Sequence, residues 1–218
     1  MRPILSLIAL AALTIATPAL PQQHASKPTP GLVRVRIVTS LGPIVVALDA
    51  KRAPKTTANF LAYVDDKRLD NTSFYRSARS KADPTYGFIQ GGIGTDARRM
   101  LPSVPLEPTN RTGIRHVDTV ISMAHGRDEN GATGNFAIML GAHPSMDAKP
   151  GYSGYAAFGH VVEGMDVVRK ILAQPIGAGS GPMKGQMILK PVPLIRAERI
   201  DGTPKPTGAV QPWLIGVK

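Results

Sequence analysis

The chain has 218 residues, 43% of them hydrophobic, with a formal net charge of +11 and no cysteine. That length can bury one sizeable core without requiring a second large domain, and the lack of cysteine excludes a disulfide framework or a thiolate metal site. The basic residues are scattered instead of forming a basic helix or an aromatic-rich stripe, so nucleic acid is not an expected partner and the charge suits at most weak contact with anionic envelope surfaces.

The first residues read as a secretory signal. Met1-Arg2-Pro3 is a short basic start, ILSLIALAALTIA (Ile4 to Ala16) an apolar run, and TPAL supplies small residues with Ala16 or Ala19 as the candidate last residue before cleavage. The apolar run of 13 residues is shorter than the ~20 needed to cross a bilayer. Residues 1–19 are therefore read as a cleaved signal peptide, which places the mature protein in the periplasm or outside the cell. LPQQHASKPTPG, residues 20–31, is proline-rich, polar and without apolar period, a linker.

The folded part begins after it. VRVRIVT (Val33 to Thr39) alternates Val33, Val35 and Ile37 with Arg34 and Arg36, the pattern of a half-buried strand; SLGP turns the chain and IVVAL (Ile44 to Leu48) returns as the second arm of a hairpin. APKTTANFLAYVDD puts Pro54 in a first helical turn and Phe60, Leu61 and Val64 on one face, predicting a helix from Pro54 to about Asp66. Short apolar runs follow at SFYR, GFIQ, TVISMA, NFAIML and YAAFGHVV, most of them separated by Gly, Pro, Asn or Asp. GMDVVRKILAQ then returns to helical spacing through Met165, Val168, Ile171 and Leu172, and VPLIRAERI alternates like a closing strand.

Two helices and about eight strands predict a mainly β protein, a closed eight-stranded antiparallel barrel capped by two α-helices, because closure removes exposed strand edges. AGSGPMKG (Ala178 to Gly185) reads as a flexible loop. The tail, residues 201–218, ends in WLIGV, whose Trp213, Leu214 and Ile215 would be costly to leave in water. They either dock on the barrel or form an exposed partner-binding end.

Several chemistries find no support. GYSGY (Gly151 to Tyr155) has a serine between glycines but lacks the preceding strand and following helix of a nucleophile elbow, so it reads as a turn. The five histidines, His24, His116, His125, His143 and His160, show no metal-ligand spacing and read as surface or loop residues; no metal and no cofactor are expected.

SFYR, FIQGG, ISMAHG followed by GATGNFAI, and YAAFGHVVEGMDVV, in that order, resemble the cyclophilin-type peptidyl-prolyl isomerases over residues 32–200. The resemblance implies a barrel of eight strands and two helices, with a groove on its outside for proline-containing polypeptides. A monomer is expected. It also implies residue roles: Arg76 as the donor to the reacting amide, Gln90 as the amide that orients it, Ala124 and Met146 as groove lining, and Phe88 as apolar surface beside the proline ring. Asn135 stands where a glutamine is usual, and Tyr155 either donates its hydroxyl to substrate backbone or packs at the barrel end.

The chemistry needs no nucleophile, proton transfer or metal. Rotation about an X-Pro bond is slow because amide resonance raises a barrier of ~20 kcal/mol. On twisting, the prolyl nitrogen regains a lone pair, and a fixed donor held against it stabilises the transition state more than the planar ground state. A guanidinium suits this, being permanently charged and rich in donors.

The sequence also departs from the family. Gly87 and Ala137 occupy positions where two phenylalanines normally embrace the ring, Ser145 stands for a usual tryptophan, and the insert SARSKADPT lengthens the connection from Arg76 to Gln90. That insert is expected either to cover the groove or to move Arg76 out of it. The departures keep a second reading open, a weakly active or inactive peptide-binding or chaperone module on the same scaffold. An unrelated basic envelope protein would leave the four ordered segments unexplained.

Overall fold

The computed structural model describes residues 29–214. The signal peptide expected at residues 1–19, the linker up to residue 28, and residues 215–218 of the tail lie outside the described residues.

The chain opens with a hairpin, β1 (Leu32–Thr39) and β2 (Gly42–Asp49), then α1 (Pro54–Asp65), and a second hairpin, β3 (Thr72–Arg79) and β4 (Gly87–Gly92). A one-turn helix, α2 (Thr109–Thr112), precedes β5 (Val120–Met123), β6 (Asn135–Leu140) and β7 (Ala157–Glu163). The chain continues through α3 (Met165–Leu172), a two-residue β8 (Ile176–Gly177) and the long β9 (Met187–Arg199). The strands are ordered β1-β2-β7-β5-β6-β4-β3-β9, and β9 pairs back on β1, so the sheet closes into an eight-stranded antiparallel barrel. β8 is an addition to β9 outside the ring. The expected pair of helices is present as α1 and α3; α2, a single turn, is additional and has too little apolar period to be read from sequence.

Alternation decides what the barrel holds. Val35 and Ile37 of β1, with Ile44, Val46 and Leu48 of β2, are fully buried. α1 lays Phe60, Leu61 and Val64 against them, together with Tyr63. Phe60 sits at the centre of an aromatic cluster, 5.3 Å edge-on to Phe136 and 5.4 Å from Phe158, and Phe136 continues to Phe74 at 5.6 Å. Phe136 is thus part of the core. Offset and edge-to-face pairs of this kind add to the stabilisation from area burial alone.

Both helix ends are tied to distant strands or loops. The α1 N-terminus receives the Glu107 carboxylate, which accepts from Lys55 N at 3.1 Å and Thr56 N at 2.7 Å. A negative charge there complements the helix dipole and satisfies two otherwise free N–H groups. α3 starts at Gly164, whose φ of 87° favours glycine and where a Cβ would lie 2.3 Å from Pro43 O. At its other end Leu172 O accepts from Ser77 Oγ at 2.6 Å and Arg79 Nη1 at 3.1 Å.

Those last contacts settle where the insert goes. Ser77, Ala78 and Arg79 extend β3, pairing with Ile89, Phe88 and Gly87, so only the residues beyond Arg79 form the turn. The turn is closed by Ser80 N donating to Tyr86 O at 2.9 Å. The insertion is absorbed at the far end of the β3–β4 hairpin, where it braces α3, and it leaves Arg76 paired opposite Gln90.

The tail is strapped across the C-terminal end of α1. Asp66 accepts from Thr207 N at 2.7 Å and Thr207 Oγ1 at 2.6 Å, and Arg68 Nη2 donates to Val210 O at 3.1 Å. Trp213, only 7% exposed, receives the guanidinium of Arg68 at 4.7 Å and that of Arg99 at 5.1 Å from its ring. Leu214, by contrast, is exposed. Trp213→Ala should lower the unfolding free energy by about 2–4 kcal/mol, combining the lost burial with two cation–π contacts. Urea denaturation measures this, and an unchanged midpoint would mean that the tail contributes nothing to the fold.

Candidate active site

The expected donor and its orienting amide come together through a strand irregularity. Phe74 pairs with Gly91 and Arg76 with Gln90, so Tyr75 is an extra residue in β3. A bulge of this type breaks the alternation and re-aims adjacent side chains. Phe74 enters the core, while Tyr75 and Arg76 both reach Gln90.

A directed chain of hydrogen bonds results. Arg76 Nη1 donates to Gln90 Oε1 at 2.9 Å, Gln90 Nε2 donates to Tyr75 Oη at 3.0 Å, and Tyr75 Oη donates to Asn135 Oδ1 at 3.2 Å. Arginine cannot accept, so Gln90 must present its oxygen to Arg76 and its nitrogen to Tyr75. Burial pushes the Tyr75 hydroxyl up to about 12, so it remains a proton donor throughout the physiological range. Burial also pulls the Arg76 pKa down, and the nearby Tyr75 and Tyr155 hydroxyls oppose this; a guanidinium stays charged in proteins.

No carboxylate is paired with Arg76 among the described residues. Its remaining partners are neutral oxygens: Gln186 Oε1 accepts from Nε at 2.9 Å and from Nη2 at 2.7 Å, and Pro182 O lies 3.4 Å from Nη2. The guanidinium is thus half-buried, oriented and uncompensated.

The other expected residues fall around this centre with different roles. Phe88, two residues from Gln90 along β4, lies under Arg76 with the guanidinium carbon 5.0 Å from its ring centroid. Ala137 is paired opposite Gln90 and buried. Asn135 opens β6, and its amide is largely spent on a turn, accepting from Gly94 N at 2.8 Å and donating to Gly94 O at 2.9 Å. Ala124 follows β5, half-buried, its N–H donating to Asn135 O at 2.9 Å. Met146 ends a short turn and packs against the core; its carbonyl accepts Tyr155 N at 3.0 Å. Tyr155 stacks on His125 at 4.4 Å.

The missing phenylalanines have a local cause at one of the two positions. Gly87 has φ 152°, and a Cβ there would sit 2.3 Å from Ala78 O and 2.7 Å from Arg79 Cα, so an aromatic side chain does not fit this backbone. Tyr86 does not replace it. Its hydroxyl donates to Ala142 O at 2.5 Å, and its ring stacks on His143 at 4.5 Å. Among the described residues, Phe88 is the ring over which the Arg76 guanidinium lies.

Several residues that the sequence reading passed over are structural or site-forming. Tyr75 and Gln186 contact Gln90 and Arg76 directly, and neither carries a sequence signal: one depends on a bulge, the other on a contact across 110 positions. The segment Ala178 to Gly185, read as a flexible loop, lies beside the expected donor through Pro182 O, 3.4 Å from Arg76 Nη2, and Gln186 follows it directly. His116 and His143, read as surface or loop residues, lie in loops but are buried. His143 Nε2 donates to Gly87 O at 2.8 Å.

His116 joins Asp147, 2.7 Å from Nδ1, to Ser122, 2.9 Å from Nε2. This order of groups suggests a nucleophilic triad, but Ser122 has no exposed surface and His116 is 1% exposed, so no substrate reaches them. Burial draws the His116 pKa down and Asp147 opposes it; the neutral ring accepts from Ser122 and donates to Asp147. The chain ties β5 to the segment bearing Met146.

Comparison with known proteins agrees with this architecture. The profile of the family described as "Cyclophilin type peptidyl-prolyl cis-trans isomerase/CLD" matches residues 34–193. Peptidyl-prolyl cis-trans isomerase A of Dickeya dadantii (strain 3937) is 33% identical over 137 residues, covering 63% of this chain and 70% of that protein. Peptidyl-prolyl cis-trans isomerase cyp18 of Streptomyces antibioticus is 33% identical over 150 residues, 67% of this chain and 87% of that protein. A cyclophilin-type isomerase of Cryptosporidium parvum has the same fold at 20% identity, with a TM-score of 0.62 over 79% of this chain and 99% of its own. A structure of that protein in the presence of the dipeptide Ala-Pro aligns with a TM-score of 0.63 at 19% identity, over 78% of this chain and 99% of that one. With the closed barrel, its two principal helices and the family profile spanning most of its length, the chain belongs to the cyclophilin-type peptidyl-prolyl cis-trans isomerases.

Proposed function

We infer that this protein accelerates cis–trans rotation of X-Pro bonds in exported polypeptides during their folding, with Arg76 as the group that stabilises the twisted amide. The observation that carries the reading is the state of Arg76: half-buried, held at Nη1 by Gln90 and along its Nε–Nη2 edge by Gln186, with no carboxylate partner among the described residues. A donor so placed is already oriented before the amide twists, so little reorganisation accompanies the reaction. Its charge is not cancelled by a counter-ion, and burial weakens the screening of its field.

Phe88 offers the apolar surface on which a proline ring would rest, and Tyr155 is within electrostatic reach of Arg76 as a second polar contact for substrate backbone. The loss of apolar wall at Gly87 and Ala137 favours weak ground-state binding over a lost chemical step. The donor chain does not involve either side chain, so the change falls chiefly on KM. The same loss is what supports the alternative, a peptide-binding module of low activity.

Export rests on the apolar segment at residues 4–16 and the small residues after it. Folding of exported chains is then the setting for activity, with the protein acting as a monomer that needs no cofactor.

A proline-peptide exchange assay tests the reading. Wild type should accelerate exchange, and Arg76→Ala should reduce kcat by about 10²- to 10³-fold, the usual consequence of removing a preorganised donor; an active Arg76→Ala would sink the mechanism, and an inactive wild type the class. The rate should be flat between about pH 6 and 9, because Arg76 stays charged and Tyr75, at about 12, keeps its proton. Mass spectrometry of protein recovered from the periplasmic or culture fraction should give a mature chain beginning after Ala16 or Ala19. An intact Met1 start confined to the cytoplasm would overturn the exported role.

A further inference from the structure

We propose that Gln186 is a positioning residue for Arg76, a second carboxamide clamp that makes the 178–186 loop part of the active site. The proposal rests on the isomerase reading of Arg76 given above. Gln90 holds only one nitrogen of the guanidinium. A planar group held at Nη1 alone can still tilt about its long stem. Gln186 Oε1 accepts from Nε at 2.9 Å and Nη2 at 2.7 Å, closing another edge and leaving two amide oxygens at different edges of the guanidinium plane. With Phe88 beneath the face at 5.0 Å, the guanidinium is fixed in position and in rotation.

The clamp is itself held in place by backbone. Ser77 N, the residue after Arg76, donates to Gln186 O at 2.9 Å. Arg76 pairs with Met187, so the register of β3 on β9 sets residue 186 alongside the arginine. The hairpin that returns the chain to this point is closed by Ile176 opposite Ile188 and Gly177 opposite Met187. Within it Gly179, Gly181 and Gly185 take φ values of 83°, 51° and 73°, which suit glycine.

The choice of an amide over an acid has a chemical reason. A carboxylate at position 186 would grip the same Nε–Nη2 edge more strongly. It would also neutralise the charge that must meet the prolyl lone pair. A neutral oxygen orients the donor without discharging it. Positioning and field strength are thus separable by substitution.

The test uses the full-length mature chain with Gln186→Ala and Gln186→Glu, kcat and KM on a proline peptide, and the 15N-resolved Nε–H signal of Arg76, assigned by its loss in Arg76→Lys. Gln186→Ala should lower kcat by about fivefold to tenfold with KM within about twofold, the pattern of a misaligned donor, and should abolish the slow exchange of the Arg76 Nε–H. Gln186→Glu should keep that proton protected and still lose kcat. Wild-type kcat in Gln186→Ala, or full activity in Gln186→Glu, would overturn the proposal. Because the Gln186 backbone bond to Ser77 survives both changes, thermal melts should stay near wild type; if Gln186→Ala fails to fold, Gln186→Glu decides alone through its kcat. A wild type without isomerase activity would fail the underlying reading instead, while the Nε–H signal in that sample would still report whether Gln186 holds the guanidinium.

Discussion

A guanidinium that is half-buried, oriented and, among the described residues, left without a counter-ion is the demand around which this structure is arranged. Burying a charge is costly unless hydrogen bonds replace its water, and pairing it with a carboxylate would be the usual remedy. Here the replacement comes from neutral oxygens on Gln90 and Gln186, with a distant carbonyl from Pro182. Gln90 is in turn held by Tyr75 and Tyr75 by Asn135, so β3, β4, β6 and the approach to β9 all end at one side chain. The cost of desolvation is spread over a network whose every member has a defined donor or acceptor role.

The barrel makes such a network possible because closure fixes register. Arg76 faces Gln90, and Gln90 faces Ala137, through ladders that cannot slip without moving Phe74 and Phe136 out of the core. The bulge at Tyr75 breaks that order locally, and it is what brings two consecutive residues of β3 to the same amide. The insert that follows Arg76 is harmless for the same reason. Its first residues join the ladder, and Arg79 and Ser77 cap α3 instead of crossing the groove. The tail strap and the Glu107 cap anchor α1 by comparable means, carboxylates and guanidinium groups meeting backbone or aromatic partners.

The apolar side of the groove is the part most altered. Gly87 is held in a backbone conformation with no room for a side chain, and the ring of Tyr86 is committed to His143. Phe88 remains. On the function proposed above, this arrangement separates recognition from chemistry: apolar surface for a proline ring is limited to Phe88, while Arg76 keeps its full set of orienting partners.

Much of this was legible in the sequence by itself. Period-two alternation in VRVRIVT and helical spacing in GMDVVRKIL identified β1 and α3 because apolar residues must face one core. NFAIML matched β6 at both ends, and the resemblance carried by SFYR and FIQGG pointed to Arg76 and Gln90. Only the tertiary structure decided what those two residues touch. Tyr75 enters through a bulge, which has no composition signature; Gln186 directly follows a glycine-rich segment whose local pattern reads as loop; and His116 and His143 are buried where they meet Asp147, Ser122 and Gly87. Local pattern reports which face of an element is apolar, because that is a property of neighbours along the chain. Which polar group meets which depends on register and closure, and those are set only when all eight strands of the barrel have paired.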